Sequence, residues 1–315
     1  PSSVLMNAIP AAVAGVKRIV CVTPPTKDGS LDPAILEACR IAGVTEIYSV
    51  GGAQAIGALA YGTESIQKVA KITGPGNAFV AAAKKIVSGD VGIDMIAGPS
   101  EVCVLADETA LPELVAVDLM AQAEHDPLAS CYLVTFSEAY ADAVENAIQK
   151  TVESSTRKEI TMSSLTDKGL IVICDSLAQA LQTINVIAPE HLELHVSRPM
   201  ELLGQIRNAG AIFMGEWTPE AVGDYVAGPN HTLPTGGTAR YASPLSVDEF
   251  VKKSSVIQYS AAALKNDARA IETIADHEGL WAHAQSVRLR MELMEQGRVP
   301  ANANSTDASA EQTKD

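Results

Sequence analysis

The run LPELVAVDLMA ends in Gln122-Ala123-Glu124-His125-Asp126-Pro127, which places an amide and an imidazole three residues apart. Residues at i and i+3 share a helix face, so Val115, Leu119, Gln122 and His125 are expected along one side, with Pro127 ending the helix just beyond. An inward face tipped with two polar groups either buries them satisfied or presents them to a cleft. The chain has six histidines. His191 follows Glu190 in APEHLELH, at the expected end of a helix. His231 lies in the glycine-rich GDYVAGPNHTLPTGG, and His283 in HEGLWAHAQS. His195 and His277 show no evident partner.

Imidazole nitrogens and carboxylate oxygens are zinc donors, and catalytic zinc keeps an open position. His125, His283 and Asp224 are of that type, and Gln122 offers a carbonyl oxygen. Their spacing forms no compact signature such as HExxH, so the residue types permit a metal without locating one. Glu190-His191 suits acid/base work: histidine titrates near neutrality and can take a proton from an alcohol and return it, while the glutamate activates water. The plainer alternative is a helix end with a solvated glutamate and a capping histidine.

Three glycine-rich turns follow expected strands: GGAQAIG (51–57), GPGNAF (74–79) and AGPSEV (97–102). GPGNAF has the context of a dinucleotide-binding turn, but Phe79 stands where the third glycine of GxGxxG belongs. Ligands of open α/β sheets bind at that strand edge, so three such turns point to it together.

The elements that must position these groups alternate. Strands are expected in RIVCVT, EIYSVGG, KVAKITG, EVCVLAD, SCYLVTF, GLIVICD and AGAIFMG, with helical patterns between them. That order implies parallel sheets. The fold class expected is α/β, with two Rossmann-like parallel-sheet domains and a C-terminal helical segment. The first domain covers 1–101 and the second 102–245, of which 216–246 form a long Gly/Pro/Thr/Asn-rich loop. The helical segment covers 246–300, broken near Gly279. The polar end, 301–315, is expected to be disordered.

Hydrophobic residues make up 47% and charged residues 19%, an ordinary globular profile. A net charge of −15 and the lack of a basic stripe exclude a phosphate-backbone partner. No apolar run is long enough to cross a bilayer, and the opening PSSVLMNAIP lacks the pattern of a signal peptide. The five cysteines are scattered without ligand spacing, which fits reduced thiols in a cytoplasmic protein.

The motifs VGGAQAIGALAYGTES, ITGPGNAFV, IDMIAGPSEV, QAEHDP, APEHLEL, GDYVAGPNHTLPTGGTARYASPLSVDEF and HEGLWAH, in this order, resemble histidinol dehydrogenase from Pro1 to about residue 295. The resemblance implies a zinc-dependent homodimer that oxidises L-histidinol to L-histidine through histidinaldehyde, with two hydrides passed to NAD, as the last step of histidine biosynthesis. It implies zinc ligands Gln122, His125, Asp224 and His283, and an acid/base pair Glu190 and His191. Ser100, His231 and Glu278 match substrate contacts, which the zinc ligands and His191 share. Gln54 and Asn77 match cofactor contacts. In the family the segment with Glu278 and His283 comes from the partner subunit. Full-length members also carry an N-terminal segment before PSSVLMNAIP, with dimer helices and the first part of the domain that 102–245 completes. On that ground the second domain is expected to be incomplete. Three alternatives remain: a related dehydrogenase of another alcohol such as a sulfonated diol, a non-catalytic chain with a binding or oligomerisation role, and a zinc hydrolase that needs no nicotinamide.

Overall fold

Val102, Val104 and Ala106 face one side of strand β5 (Glu101–Ala106), Cys103 and Leu105 the other, and all five are fully buried. A strand apolar on both faces belongs inside a sheet covered on both sides. In the computed structural model, which describes residues 1–298, β5 is the middle of a five-stranded parallel sheet. The order is β7-β6-β5-β8-β9, with β6 Ser130–Thr135, β7 Gly169–Ile173, β8 His191–His195 and β9 Ala211–Met214. On one face, Val102 and Val104 pack with Val115 and Leu119 of helix α5 (Pro112–Ala123) and Val144 of α6 (Glu138–Thr151). On the other, Cys103 and Leu105 pack with Leu181 and Ile184 of α8 (Leu177–Ile187) and with Leu192 and Leu194 of β8. The mixed α/β class with parallel sheets is therefore as the sequence implied.

Residues before β5 build a second parallel arrangement from shorter strands. β1 (Val20–Val22) pairs with β2 (Glu46–Tyr48), and β3 (Lys71–Ile72) pairs with β4 (Gly92–Ile93). One core joins both pairs: Ile56, Leu59, Ile72 and Val87 are buried with Val20, Val22, Tyr48 and Ile93 against them. The helices here are α1 (Ser2–Val13), α2 (Pro33–Ile41), α3 (Gly52–Tyr61) and α4 (Ala78–Val87). Pro10 lies inside α1. Proline has no N–H, so the Met6 carbonyl four residues earlier loses its helical donor. Asn230 Nδ2 donates to that carbonyl instead, at 2.6 Å.

The chain divides into two compact units, Pro1–Lys252 and a second that begins at Lys253. In the second unit, α10 (Ala261–His277) and α11 (Trp281–Glu295) flank the expected break, where Gly279 adopts φ 71°. Arg288 Nε donates to Glu272 at 3.1 Å and so ties the two helices together. The expectation for 301–315 lies outside the described residues.

Several local expectations are corrected. APEHLELH is not the end of a helix: α8 stops at Ile187, Ala188 takes a left-handed cap, and His191 starts strand β8. Helix α5 ends at Ala123, so His125 sits in the turn beyond it, its N–H bonded to Gln122 O at 3.2 Å. SVDEFVKKSS is not an α-helix: only a 3₁₀ turn forms at Val247–Phe250, and residues 251–260 lack regular structure. Two helices were not anticipated, α1 and α7 (Lys158–Lys168). The expected long loop contains one short helix, α9 (Glu220–Tyr225).

Candidate active site

Strand β8 turns the sheet into a site. Side chains alternate along a strand, so Leu192 and Leu194 enter the apolar core while His191, Glu193 and His195 share the opposite face. All three polar residues are buried. Register places them beside Val102, Val104 and Ala106 of β5, on the face covered by α5. There they meet Asp118 and Gln122 from α5 and Glu220 from α9.

His191 Nδ1 lies 3.1 Å from the Glu101 carbonyl. The Gln122 amide stands 3.0 Å from the same atom and 3.2 and 3.3 Å from the two Glu220 oxygens. His191 Nε2 is buried with no hydrogen-bond partner among the described residues. Burial pushes the imidazole pKa down to about 4, against the opposing hydrogen bond to Glu101 and the charge of Asp224. The ring is therefore neutral at neutral pH, and with Nδ1–H donated to Glu101 its lone pair is on Nε2. Phe213 of β9 lies against the ring, centroids 5.9 Å apart.

Glu190 comes just before the strand. Its Oε2 accepts the Glu101 N–H at 3.0 Å and stands 3.9 Å from His191 Nδ1. Burial raises its pKa to about 8, which the Glu101 N–H and the Ser100 hydroxyl partly oppose. Ser100 thus sits at the mouth of the same site. Glu101 in turn faces the N–H groups of Gly236 and Gly237, both with positive φ, and fixes the loop after His231.

His125, Glu220 and Asp224 each offer one donor atom, and the three atoms lie within 4.8 Å of one another. His231 Nδ1 is 3.3 Å from Asp224 Oδ1. Burial pushes the Asp224 carboxyl upward, but the His231 hydrogen bond and the nearby imidazoles bring it to a net value below the usual range. Glu220 stays well above its usual range through burial and the charges of Asp224 and Glu193. α9 itself approaches closely because Gly223 has no side chain: a Cβ there would stand 2.6 Å from Phe213 Cε1.

Ser100, Gln122, His125, Glu190, His191, Asp224 and His231 are thus brought together from five segments of the first unit. Glu278 and His283 belong to the second unit, where they flank the α10–α11 turn. The sequence reading missed Glu220, Glu193, Asp118 and the partners of His195. Two signals pointed to them. HLELH alternates with the period of a strand, and Glu220 and Asp224 are spaced i, i+4 on one helix face.

Gln54 and Asn77 lie elsewhere, in the region before β5. Gln54 is exposed in the first turn of α3. Asn77 caps α4, its Oδ1 accepting from Phe79 and Val80 N–H at 3.1 Å each. Two of the three expected glycine turns, Gly51-Gly52 and Gly74-Pro75-Gly76-Asn77, line one cleft of about 1120 Å³. Lys84 and Asp94, paired at 2.5 Å and buried, clamp Gly74 from both sides: Lys84 Nζ donates to its carbonyl at 2.9 Å, and its N–H donates to Asp94 at 2.8 Å. All five cysteines are free. No helix among the described residues is long and apolar enough to cross a membrane.

Comparison with known proteins bears directly on this arrangement. The sequence model described as "Histidinol dehydrogenase" matches residues 1–291. The histidinol dehydrogenase of Bacillus subtilis is 57% identical over 290 residues, which are 92% of this chain and 68% of that protein. The Synechococcus enzyme of the same name is 56% identical over 295 residues, 94% of this chain and 68% of its own length. Among solved structures, histidinol dehydrogenase from Elizabethkingia anophelis superposes with a TM-score of 0.88 at 42% identity, covering 93% of this chain and 68% of that one.

Proposed function

Since the chain belongs to the histidinol dehydrogenase family, a family of oxidoreductases, we propose that it oxidises L-histidinol to L-histidine in two NAD-linked steps with a zinc ion. The convergence of Gln122, His125 and Asp224 on the Glu190-His191 pair carries this reading.

The residues fit a zinc ion. The clustered donors are one imidazole and two carboxylates, and the Gln122 amide beside Glu220 would add an oxygen, all within the zinc repertoire. Gln122, His125 and Asp224 would hold the ion, together with His283 from the second unit of a partner copy; Glu220 is a further oxygen donor within reach. Zinc, when bound, supplies positive charge that orients the amino alcohol. NAD+, when bound at the cleft of the glycine turns near Gln54 and Asn77, supplies the hydride acceptor.

The chain's own residues move the protons. His191 Nε2, neutral and unpartnered, takes the hydroxyl proton as the C–H hydride departs, which leaves histidinaldehyde. A water then adds to the aldehyde carbon, its proton passing to Glu190. Loss of a second hydride from that hydrate, its hydroxyl proton taken by His191 after the first proton has gone to solvent, gives the acid, which ionises to the carboxylate, so four electrons leave in two pairs. Glu190 must be ionised to accept the proton, and burial opposes that below pH of about 8. Ser100, His231 and Glu278 would hold the substrate's polar groups. A shared site makes the homodimer the working form, and the pathway is cytoplasmic.

The test is NADH release with zinc and L-histidinol supplied. Two NADH per histidine are expected. Turnover of a sulfonated diol in preference to histidinol would assign the related branch instead. Retained zinc without any NAD-linked turnover, together with hydrolase activity, would refute the dehydrogenase reading.

A further inference from the structure

A second buried polar cluster stands behind the first. His195 Nε2 lies 3.2 Å from Asp118 Oδ2 on α5 and 3.2 Å from Glu193 Oε2 on its own strand. All three residues are buried. The other Glu193 oxygen, Oε1, accepts the backbone N–H of Glu220 at 2.9 Å. Glu220 is the first residue of α9, whose N-cap is Pro219 with no side-chain cap bond.

A helix of six residues is too short to hold itself, and its first N–H groups have no partner within it. α9 is held from outside by its side chains, through His231 on Asp224 and the Gln122 amide beside Glu220, and by its backbone. Gly223 lies flush against Phe213, and Glu193 takes the first N–H. Glu220 and Asp224, one turn apart on this helix, are two of the three donors that meet at His125. A rotation or slide of α9 would separate them from His125.

We propose that the Asp118–His195–Glu193 network is a positioning device for the cation site: Glu193 anchors the N-terminus of α9, and His195, tethered by Asp118, holds the Glu193 carboxylate in place. The cation part of this inference rests on the function proposed above. The network lies outside the His125–Glu220–Asp224 cluster and reaches it through the first N–H of α9, so it acts through Glu220 and Asp224.

The experiment compares the unaltered protein with Glu193→Ala, Glu193→Gln and Asp118→Asn by three readouts. Zinc affinity is measured by competition with a chromophoric chelator, the visible d–d spectrum is recorded after Co²⁺ loading, and the exchange rate of the Glu220 amide is measured by NMR without metal. Glu193→Ala is expected to weaken zinc binding by about 10–100-fold, the range for loss of a group that orients ligands. It should also change the Co²⁺ spectrum and speed Glu220 exchange at least about tenfold, since its acceptor is gone. Glu193→Gln keeps an oxygen for that N–H and should recover most of all three. A folded Glu193→Ala protein with parental zinc affinity, spectrum and exchange overturns the proposal. Should that variant not fold, Asp118→Asn decides, with weaker zinc binding expected and parental affinity overturning the inference. If the unaltered protein binds neither Zn²⁺ nor Co²⁺, the cation reading fails on its own. Glu220 exchange then still decides whether Glu193 anchors α9.

Discussion

The two α/β regions of the first unit bury charge to different ends. Before β5, one ion pair, Lys84 with Asp94, is sealed in a core of short strands and holds a glycine turn by its backbone. From β5 on, Asp118, Glu190, His191, Glu193, His195 and Glu220 are all buried within one sheet and its covering helices. The first region stiffens main chain at the rim of a cleft. The second loads an interior with groups that titrate, and burial drives the pKa of Glu190 up to about 8 and that of His191 down to about 4. A well-packed five-stranded sheet can carry that load because its central strand is apolar on both faces from Val102 to Ala106 and packs in two hydrophobic clusters. Perturbed titratable groups concentrate where chemistry is done, so the contrast supports the proposed division, with chemistry in the second region and ligand cradling in the first.

The sharpest way to break that division is His191→Asn, which retains size and polarity but removes the base. The oxidation rate should fall by about 10²–10⁴-fold, the usual contribution of a general base. Zinc content, measured by atomic emission, should remain at the parental level. Normal turnover by this variant would take the chemistry away from β8.

A smaller effect separates the regions by pH. The folded protein holds a proton on Glu190 more tightly than the unfolded chain does. The stability this contributes is full below the unfolded carboxylate pKa and is lost as pH rises through about 8. Glu190→Gln removes the dependence. Metal-free parent and variant should melt alike near pH 4. By pH 9 the variant should be more stable by on the order of 4 kcal/mol. Calorimetric melts that run parallel across that range would show Glu190 solvated rather than buried.

The smallest effect belongs to the first region. Asn77→Ala deletes the α4 cap and should cost about 1 kcal/mol of stability, read from urea denaturation. NAD affinity, by fluorescence titration, should fall, and zinc affinity should not move. A change in zinc binding would mean that the two regions are not separable in this way.

The legible part of the fold was its apolar part. RIVCVT, EVCVL, SCYLVTF and AIFM announce strands by short apolar, β-branched runs, and in EVCVL the run is buried on both faces. β8 escaped that reading because His191, Glu193 and His195 alternate with only two leucines. Their burial depends on partners from α5, α9 and the Glu101 backbone, which no local pattern can reveal. Helix α7 was hidden in a similar way: its interior positions are Thr161 and Ser164, and Ser164 is satisfied by Ala129 O at 2.9 Å, across the chain. Of the candidate site, Gln122, His125, Glu190, His191 and Asp224 were named from residue type and resemblance. Glu220 and Glu193 were not: the alternation in HLELH and the i, i+4 spacing of Glu220 and Asp224 hinted at shared faces, but not at which face is sealed from water.

The carbonyl of Met6, left without a helical donor by Pro10 and taken by Asn230, has a consequence for how this sequence can change. A residue with an N–H at position 10 would close the helix and evict the asparagine beside His231. A residue without an amide at position 230 would leave a bare carbonyl on α1. A change at either position alone is therefore expected to cost a hydrogen bond, and through that bond the surface of the first region constrains the loop of the second.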